Sequence, residues 1–246
     1  MTTAEQEGRA DGATLRFRLP RQALRGGMGA ELAPRAGESL EFQDYRDYTP
    51  GDDLRNLDWN VLARTDREVV KVRREEVAPV VEIFRDRTPS MSVPPAKNGL
   101  CDYLAALVET AAPNCRVVER TEPKTPHAVR VYLGDTLVDE DPDRLLARLS
   151  DRAAGVIVIR TLSREELAPV PGGAAELVDS ESGERRELLL DSATVDAYLK
   201  RLADHTGRWR EACRRHAAVF VDLAAELPRR ERIAALAAAG LVEVRA

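Results

Sequence analysis

Asp52, Asp53, Arg55, Asp58, Trp59 and Arg64 crowd into one stretch, DYTPGDDLRNLDWNVLART. Acids set close to arginines can serve acid–base chemistry, and they can equally form salt bridges and helix caps. Here they follow Pro50-Gly51, a turn pair, and an Asp after a turn suits the N-cap of the next helix. The expected role of the cluster is therefore structural: an internal salt-bridge and capping network that fixes an N-terminal extension onto the rest of the protein. Trp59 is expected as a core or interface anchor, with Tyr45 and Tyr48 as packing or surface residues. Asp58 and Arg64 are expected to be buried or half-buried and paired, because charges rarely survive burial alone.

Other reactive types show no recognisable spacing. His127, His205 and His216 lie far apart, with no pair at zinc-ligand distance along the chain. Cys101, Cys115 and Cys213 form no CxxC motif, and their odd number points to buried free thiols in a reducing compartment. No GxSxG elbow is present. Gly26, Gly27 and Gly29 make a loop that lacks the Lys-hydroxyl ending of a phosphate loop. No catalytic residue is assigned, and no nucleotide site is expected.

The elements that must position these residues are legible from periodicity. Residues 1–14 are polar and are expected to be disordered. A short strand or helix start is expected from Leu15, broken by Pro20. Val70–Arg73 alternates like a half-buried strand, and Val77–Phe84 reads as a strand buried on both faces; the short Glu75-Glu76 link suggests a hairpin between them. Leu100, Leu104, Leu107 and Val108 form a helical stripe, and Asp141-Pro142 opens another helix. Val117-Val118, Val129–Leu133, Gly155–Ile159 (GVIVI) and Ala218–Leu223 read as strands. A hairpin is expected over Ala175–Leu190, turning at Ser182-Gly183. Helices are expected over Ala193–Arg215 and Pro228–Ala239, the latter capped by Gly240. This alternation implies an α/β sheet with helices on both faces. The expected organisation is a tail (1–14), an extension (15–67) and a sheet domain (68–246).

The 246 residues are 43% apolar, enough to build a core. The formal charge of −5, from 37 basic and 42 acidic residues, gives no basic footprint for nucleic acid. No apolar run of membrane-spanning length is present. A cytoplasmic protein is expected.

The run from Glu41 to Arg64 resembles the signature of the bacterial domain of unknown function family 58. The residues that carry the likeness are Phe42, Arg46, Tyr48, Gly51, Asp52, Asp53, Arg55, Asp58, Trp59 and Arg64. It continues through Glu75-Glu76, the segment Asp86-Arg87-Thr88-Pro89-Ser90-Met91, Lys97, GVIVI, Leu177–Gly183 and Tyr198. The resemblance implies a von Willebrand factor A-like (Rossmann-like) fold and a protein partner, a MoxR-like AAA+ ATPase. It also implies a cation site at the carboxyl end of the sheet, whose first ligands match Asp86, Thr88 and Ser90. One carboxylate and two hydroxyls suit a hard ion such as Mg²⁺. Family members carry more chain after this motif, including a strand ending in Ser-Asp that supplies a later acid. Met91–Gly155 is compact here, and Asp135 after VRVYLG is a weak substitute. A shortened sheet and an incomplete site are expected, with Mg²⁺ held weakly or not at all. The favoured function is a non-catalytic interaction module, adaptor or assembly factor. A metal-dependent hydrolase and a scaffold without metal or ATPase are the competing readings.

Overall fold

The computed structural model describes residues 1–18, 40–75, 80–112, 114–118, 125–137 and 140–245. They form two compact units: Met1–Gly27 with Pro79–Ala246, and Met28–Ala78.

The larger unit opens with α1 (Thr3–Thr14) and β1 (Leu15–Phe17). It then holds β4 (Val81–Arg85), α3 (Pro95–Ala111), β5 (Cys115–Val118), β6 (Val129–Gly134), α4 (Pro142–Ser150), β7 (Gly155–Leu162) and α5 (Arg164–Leu167). The hairpin β8 (Gly173–Val178) and β9 (Arg185–Leu190) follows, then α6 (Ser192–Arg215), β10 (Val219–Ala224), α7 (Arg229–Ala238) and β11 (Val242–Val244). The smaller unit holds β2 (Leu40–Asp47), α2 (Trp59–Thr65) and β3 (Val69–Glu75).

Five strands make one parallel sheet in the order β10-β7-β6-β4-β5. The chain starts it at β4, adds β5 on one side, then returns to add β6, β7 and β10 on the other. The order therefore reverses between β4 and β6. In open parallel sheets of this kind, ligand sites lie outside the carboxyl ends of the strands at that reversal. β6 and β7 are buried along their whole length, as expected for strands covered on both faces. On one face, Ile83, Val131, Ile157 and Leu223 pack with Leu100, Leu104 and Leu107 of α3 and Leu236 of α7. On the other, Phe84, Tyr132, Val156 and Val158 pack with Leu145, Leu146 and Leu149 of α4 and Trp209 and Cys213 of α6. The fold is a Rossmann-like α/β sheet with helices on both faces.

Three expectations are corrected. Residues 1–14 are not a disordered tail. Thr2 and Glu5 form a reciprocal capping box, with the Glu5 N–H donating to the Thr2 hydroxyl at 3.2 Å and the Thr2 N–H to the Glu5 carboxylate at 2.7 Å. The helix has little apolar surface, and docks instead through backbone proximity. A Cβ at Gly8 would lie 2.2 Å from the Tyr103 carbonyl oxygen, and one at Gly12 2.5 Å from that of Leu107. Buried Asp11 then accepts the Tyr103 hydroxyl at 2.6 Å and Nε of Arg229 at 2.7 Å, linking α1 to α3 and α7. Burial alone would raise the Asp11 pKa; its bonds to Arg229 and Tyr103 outweigh that and hold it below the usual carboxylate value.

Second, β3 and β4 form no hairpin. β3 pairs antiparallel with β2, and β4 lies between β5 and β6. Third, the boundaries expected at residues 15 and 68 shift. β1 pairs with β11 and so belongs to the larger unit, while β3 belongs to the smaller one with β2. The other expected strands, helices and hairpin lie within about five residues of the observed spans, whereas β2, α5 and β11 had no expected counterpart; Gly183 and Gly240 take the left-handed backbone that their turn and cap require. The glycines of the early loop and residues 77–79 lie outside the described residues.

Gly8→Ala is expected to force α1 off α3 at a cost of about 1–3 kcal/mol, the usual range for overpacking. Denaturant unfolding measures the loss, and hydrogen exchange should show it first as lost protection across Thr3–Thr14. Unchanged protection there would show that α1 does not depend on this close approach.

Candidate functional site

In the smaller unit the acid–arginine cluster resolves into caps and bonds. Pro50-Gly51 makes the turn, with Gly51 at φ 111°. Arg46 grips Asp52 with both terminal guanidinium nitrogens, at 2.7 and 2.6 Å, and the Thr49 N–H adds a third donor at 2.9 Å. Arg46 is the main reason that the Asp52 pKa falls to about 2. Asp53 caps the short 3-10 turn Leu54–Asn56 by accepting the Arg55 N–H at 3.0 Å. Asp58 is buried and caps α2, accepting the N–H groups of Asn60 and Val61 at 3.0 and 3.3 Å, while its other oxygen takes the Tyr45 hydroxyl at 2.9 Å. Leu57 bridges to Val70 on β3, and the Tyr48 N–H donates to the Glu68 carbonyl at 2.9 Å.

One expectation fails here and another is narrowed. Arg64 is exposed on the last turn of α2. It stands six residues beyond Asp58, about 120° around a helix of 3.6 residues per turn, so a cap and this side chain do not share a face. Of the two roles expected of Trp59, an anchor in the core or at an interface, the core one is excluded: it is 62% exposed, near exposed Leu54 in sequence and one residue after the cap that fixes α2. The side chain of Phe42 lies outside the described residues.

In the larger unit, Asp86, Thr88 and Ser90 are brought together at the carboxyl end of β4. One Asp86 oxygen accepts both the Thr88 N–H (2.9 Å) and the Thr88 hydroxyl (2.8 Å), and the Thr88 and Ser90 hydroxyls lie 2.9 Å apart. The other Asp86 oxygen accepts the hydroxyl of Tyr132 on β6 at 2.9 Å. Burial, then the Asp86 charge, drives the Tyr132 pKa well above its ordinary value, so the phenol stays a donor. Gly134 permits this meeting of strand ends, since a Cβ there would lie 2.5 Å from that of Asp86. The Ser90 N–H points to Glu181, in the turn of the β8–β9 hairpin, at 3.5 Å.

From the sequence, Asp135 is a weak substitute for the later acid. The structure puts it at the end of β6, beside β4 across the reversal, and fully buried. One of its oxygens accepts the Leu137 N–H at 2.9 Å and the other the Lys97 ammonium at 3.1 Å. Lys97, from the first turn of α3, is also fully buried and reaches Glu166 on α5 at 2.7 Å. The signal for Lys97 was its spacing: three residues before Leu100 and seven before Leu104, on the stripe that faces the core. Glu166, Tyr132 and Glu181 carried no comparable signal, because only the topology brings them here.

Thr136 follows with φ 61°, which a β-branched residue adopts only at a cost of about 1–3 kcal/mol. Its hydroxyl is buried without a hydrogen-bond partner among the described residues, while its carbonyl lies 3.0 Å from Nε2 of His205. Burial pushes the Cys101 thiol up to about 12, which keeps it protonated and a poor nucleophile.

Residues 44–114 match the family described as Protein of unknown function DUF58. Over that stretch, less than a third of its length, the chain is similar to this family. The matched stretch runs from Asp44 through the cap network and the Asp86–Ser90 loop to the end of α3, which includes Lys97. No curated protein and no solved structure gives a match.

A hard cation in such a loop takes six or more oxygen ligands. Among the described residues, no group of three or more His, Cys, Asp or Glu side chains is placed to hold a metal ion. Both oxygens of Asp86 and both of Asp135 already accept hydrogen bonds. An incoming ion would have to displace those donors, one of which carries a full positive charge.

Asp58→Ala removes a cap and the partner of the Tyr45 hydroxyl, and is expected to cost about 1–3 kcal/mol in denaturant unfolding. Arg64→Ala, at an exposed position, is expected to stay within about 0.5 kcal/mol. Equal effects would contradict these placements. Gly134→Ala is expected to cost about 1–3 kcal/mol by driving a methyl group into Asp86, again read by denaturant unfolding.

Proposed function

We propose that this DUF58 protein is a non-catalytic, cytoplasmic interaction module that works as an adaptor or assembly factor for a MoxR-like AAA+ ATPase. The observation that carries the reading is Trp59: a large aromatic side chain, exposed, on a segment held by the Asp58 cap and the Arg46–Asp52 pair within the family-matched stretch. Exposed tryptophans on rigid backbone are the residues that most often dominate protein–protein binding, because they bury a large surface without first having to be ordered. Tyr45, 42% exposed, and Leu54, 55% exposed, supply further apolar surface on the same unit.

Several features support a role without chemistry of its own. The acids of the signature are occupied as caps and ion-pair partners, and the thiols of Cys101 and Cys213 are buried with pKa values raised to about 12. No helix among the described residues is long and apolar enough to cross a membrane.

Affinity capture of the tagged chain from native cells is expected to recover an ATPase of this class. Trp59→Ala should reduce recovery by roughly tenfold or more, the effect of losing one interface hot spot of about 1.4 kcal/mol or above. Its circular dichroism and unfolding midpoint should stay unchanged, as befits a surface change. Equal recovery by the variant would remove Trp59 from the interface, and absence of any ATPase, with the ATPase expressed, would overturn the partnership.

A further inference from the structure

At the strand reversal, where a cation-binding fold would place its ion, the chain puts a lysine ammonium among carboxylates. Asp135 and Lys97 are both fully buried, and a buried ammonium must be compensated by charge and hydrogen bonds. Lys97 is compensated by two carboxylates from different elements, Asp135 after β6 at 3.1 Å and Glu166 on α5 at 2.7 Å. Glu166 is itself fixed, since its second oxygen accepts the Ser163 N–H at 2.6 Å in a capping box at the end of β7. Gly134 brings the residue before Asp135 against the Asp86 side chain. The carboxyl end of the sheet therefore holds an acid after β4, an acid after β6 and an acid beyond β7, with one cationic side chain reaching the latter two.

We infer that the Lys97 ammonium is the resident cation of this site, neutralising in covalent form the carboxylates that would otherwise draw a divalent metal ion. An ammonium is a compact point charge with three donors, and it needs oxygen acceptors at about 2.7–3.1 Å, as an ion needs oxygen ligands. Because it is tethered, it holds the place at any concentration of free metal. The site is thus a latent cation site, closed by one residue. This inference stands on the geometry of the larger unit and is independent of the Trp59 surface.

Titration of the full chain with Mn²⁺ or Mg²⁺ alone tests it. Wild-type protein is expected to show no binding tighter than about 1 mM, the weak end of oxygen-ligand sites. Lys97→Ala should bind Mn²⁺ at least about tenfold more tightly than wild type, with a matching rise in its melting temperature, as linkage requires. Lys97→Ala with Asp135→Asn should lose the gain. A folded Lys97→Ala chain that gains nothing overturns the proposal, as does wild-type binding in the micromolar range that Asp86→Ala abolishes.

Should Lys97→Ala fail to fold, nitrogen-15 lysine spectra of the wild-type chain decide the matter. The buried ammonium is expected as one exchange-protected signal that is absent from Lys97→Arg and unmoved by excess Mg²⁺. Displacement of that signal by Mg²⁺, or no protected ammonium at all, overturns the proposal.

Discussion

Lys97 is a charge that the fold has to be built around. A buried ammonium left with an incomplete set of acceptors costs several kcal/mol, so the elements that supply its partners must hold their positions together. Asp135 sits at the end of β6, Glu166 lies just beyond β7, and Lys97 comes from the first turn of α3, which follows β4. One ion triad therefore ties the start of α3 to two successive strand ends. Register between β6 and β7 is already set by their parallel ladder, with Gly134 opposite Arg160. The triad adds a constraint that the ladder lacks: it fixes the loops after the strands, where backbone groups have no strand partner. The Asp135–Leu137 bond and the capping box of Ser163 and Glu166 are the local means by which those loops present their carboxylates.

The opposite end of the sheet solves a similar problem with different residues. Glu82 on β4 is fully buried and accepts Nε of Arg130 on β6 at 3.4 Å, the Thr125 N–H at 3.1 Å and the Thr125 hydroxyl at 2.9 Å. Arg130 spends its remaining donors on the carbonyls of Leu149, Asp151 and Thr125. These bonds close the amino ends of the strands onto the end of α4. Charged side chains thus occur at both ends of otherwise apolar strands, and Glu82 and Arg130 find their partners on the neighbouring strand, on nearby loops and at the end of α4. The apolar clusters on the two faces supply most of the driving force for burial, while the ion networks determine which strand ends meet.

Much of this was legible before any coordinates, for a physical reason. GVIVI and VRVYLG are continuous apolar or β-branched runs, and only a strand covered on both faces tolerates them; both are interior strands of the sheet. The helical stripe at Leu100, Leu104 and Leu107 and the Pro142 start behaved as local chemistry demands. What failed was either non-local or non-apolar. β3 and β4 looked like a hairpin because a short link suggests pairing, but strand partners are chosen by the whole sheet, and β2 was the available partner. α1 was missed because periodicity detects apolar faces, whereas this helix docks through Gly8 and Gly12 and the Asp11 bonds. Asp86, Thr88 and Ser90 could be grouped from spacing alone, since one loop carries them. Asp135, Lys97 and Glu166 could not, because they meet only after the order of strands reverses.

The two ways of holding a cation have different consequences for what such a site can do. A bound divalent ion keeps open coordination positions, and an acidic group from a partner can fill one of them, so binding depends on the ion being present. An ammonium whose donors are directed at Asp135 and Glu166 offers far less to a partner, and its charge does not come and go with metal supply. With Lys97 in place, the ammonium shared by Asp135 and Glu166 leaves no open coordination position there for an approaching acid. On the proposed function, contact with a protein partner would fall to surfaces that present apolar area without a charge to neutralise. Trp59 and Leu54 meet that requirement in the smaller unit, since the acids around them are engaged with the backbone and with Arg46. The proposed function would then place recognition on the signature segment, where the caps hold an exposed aromatic side chain in place.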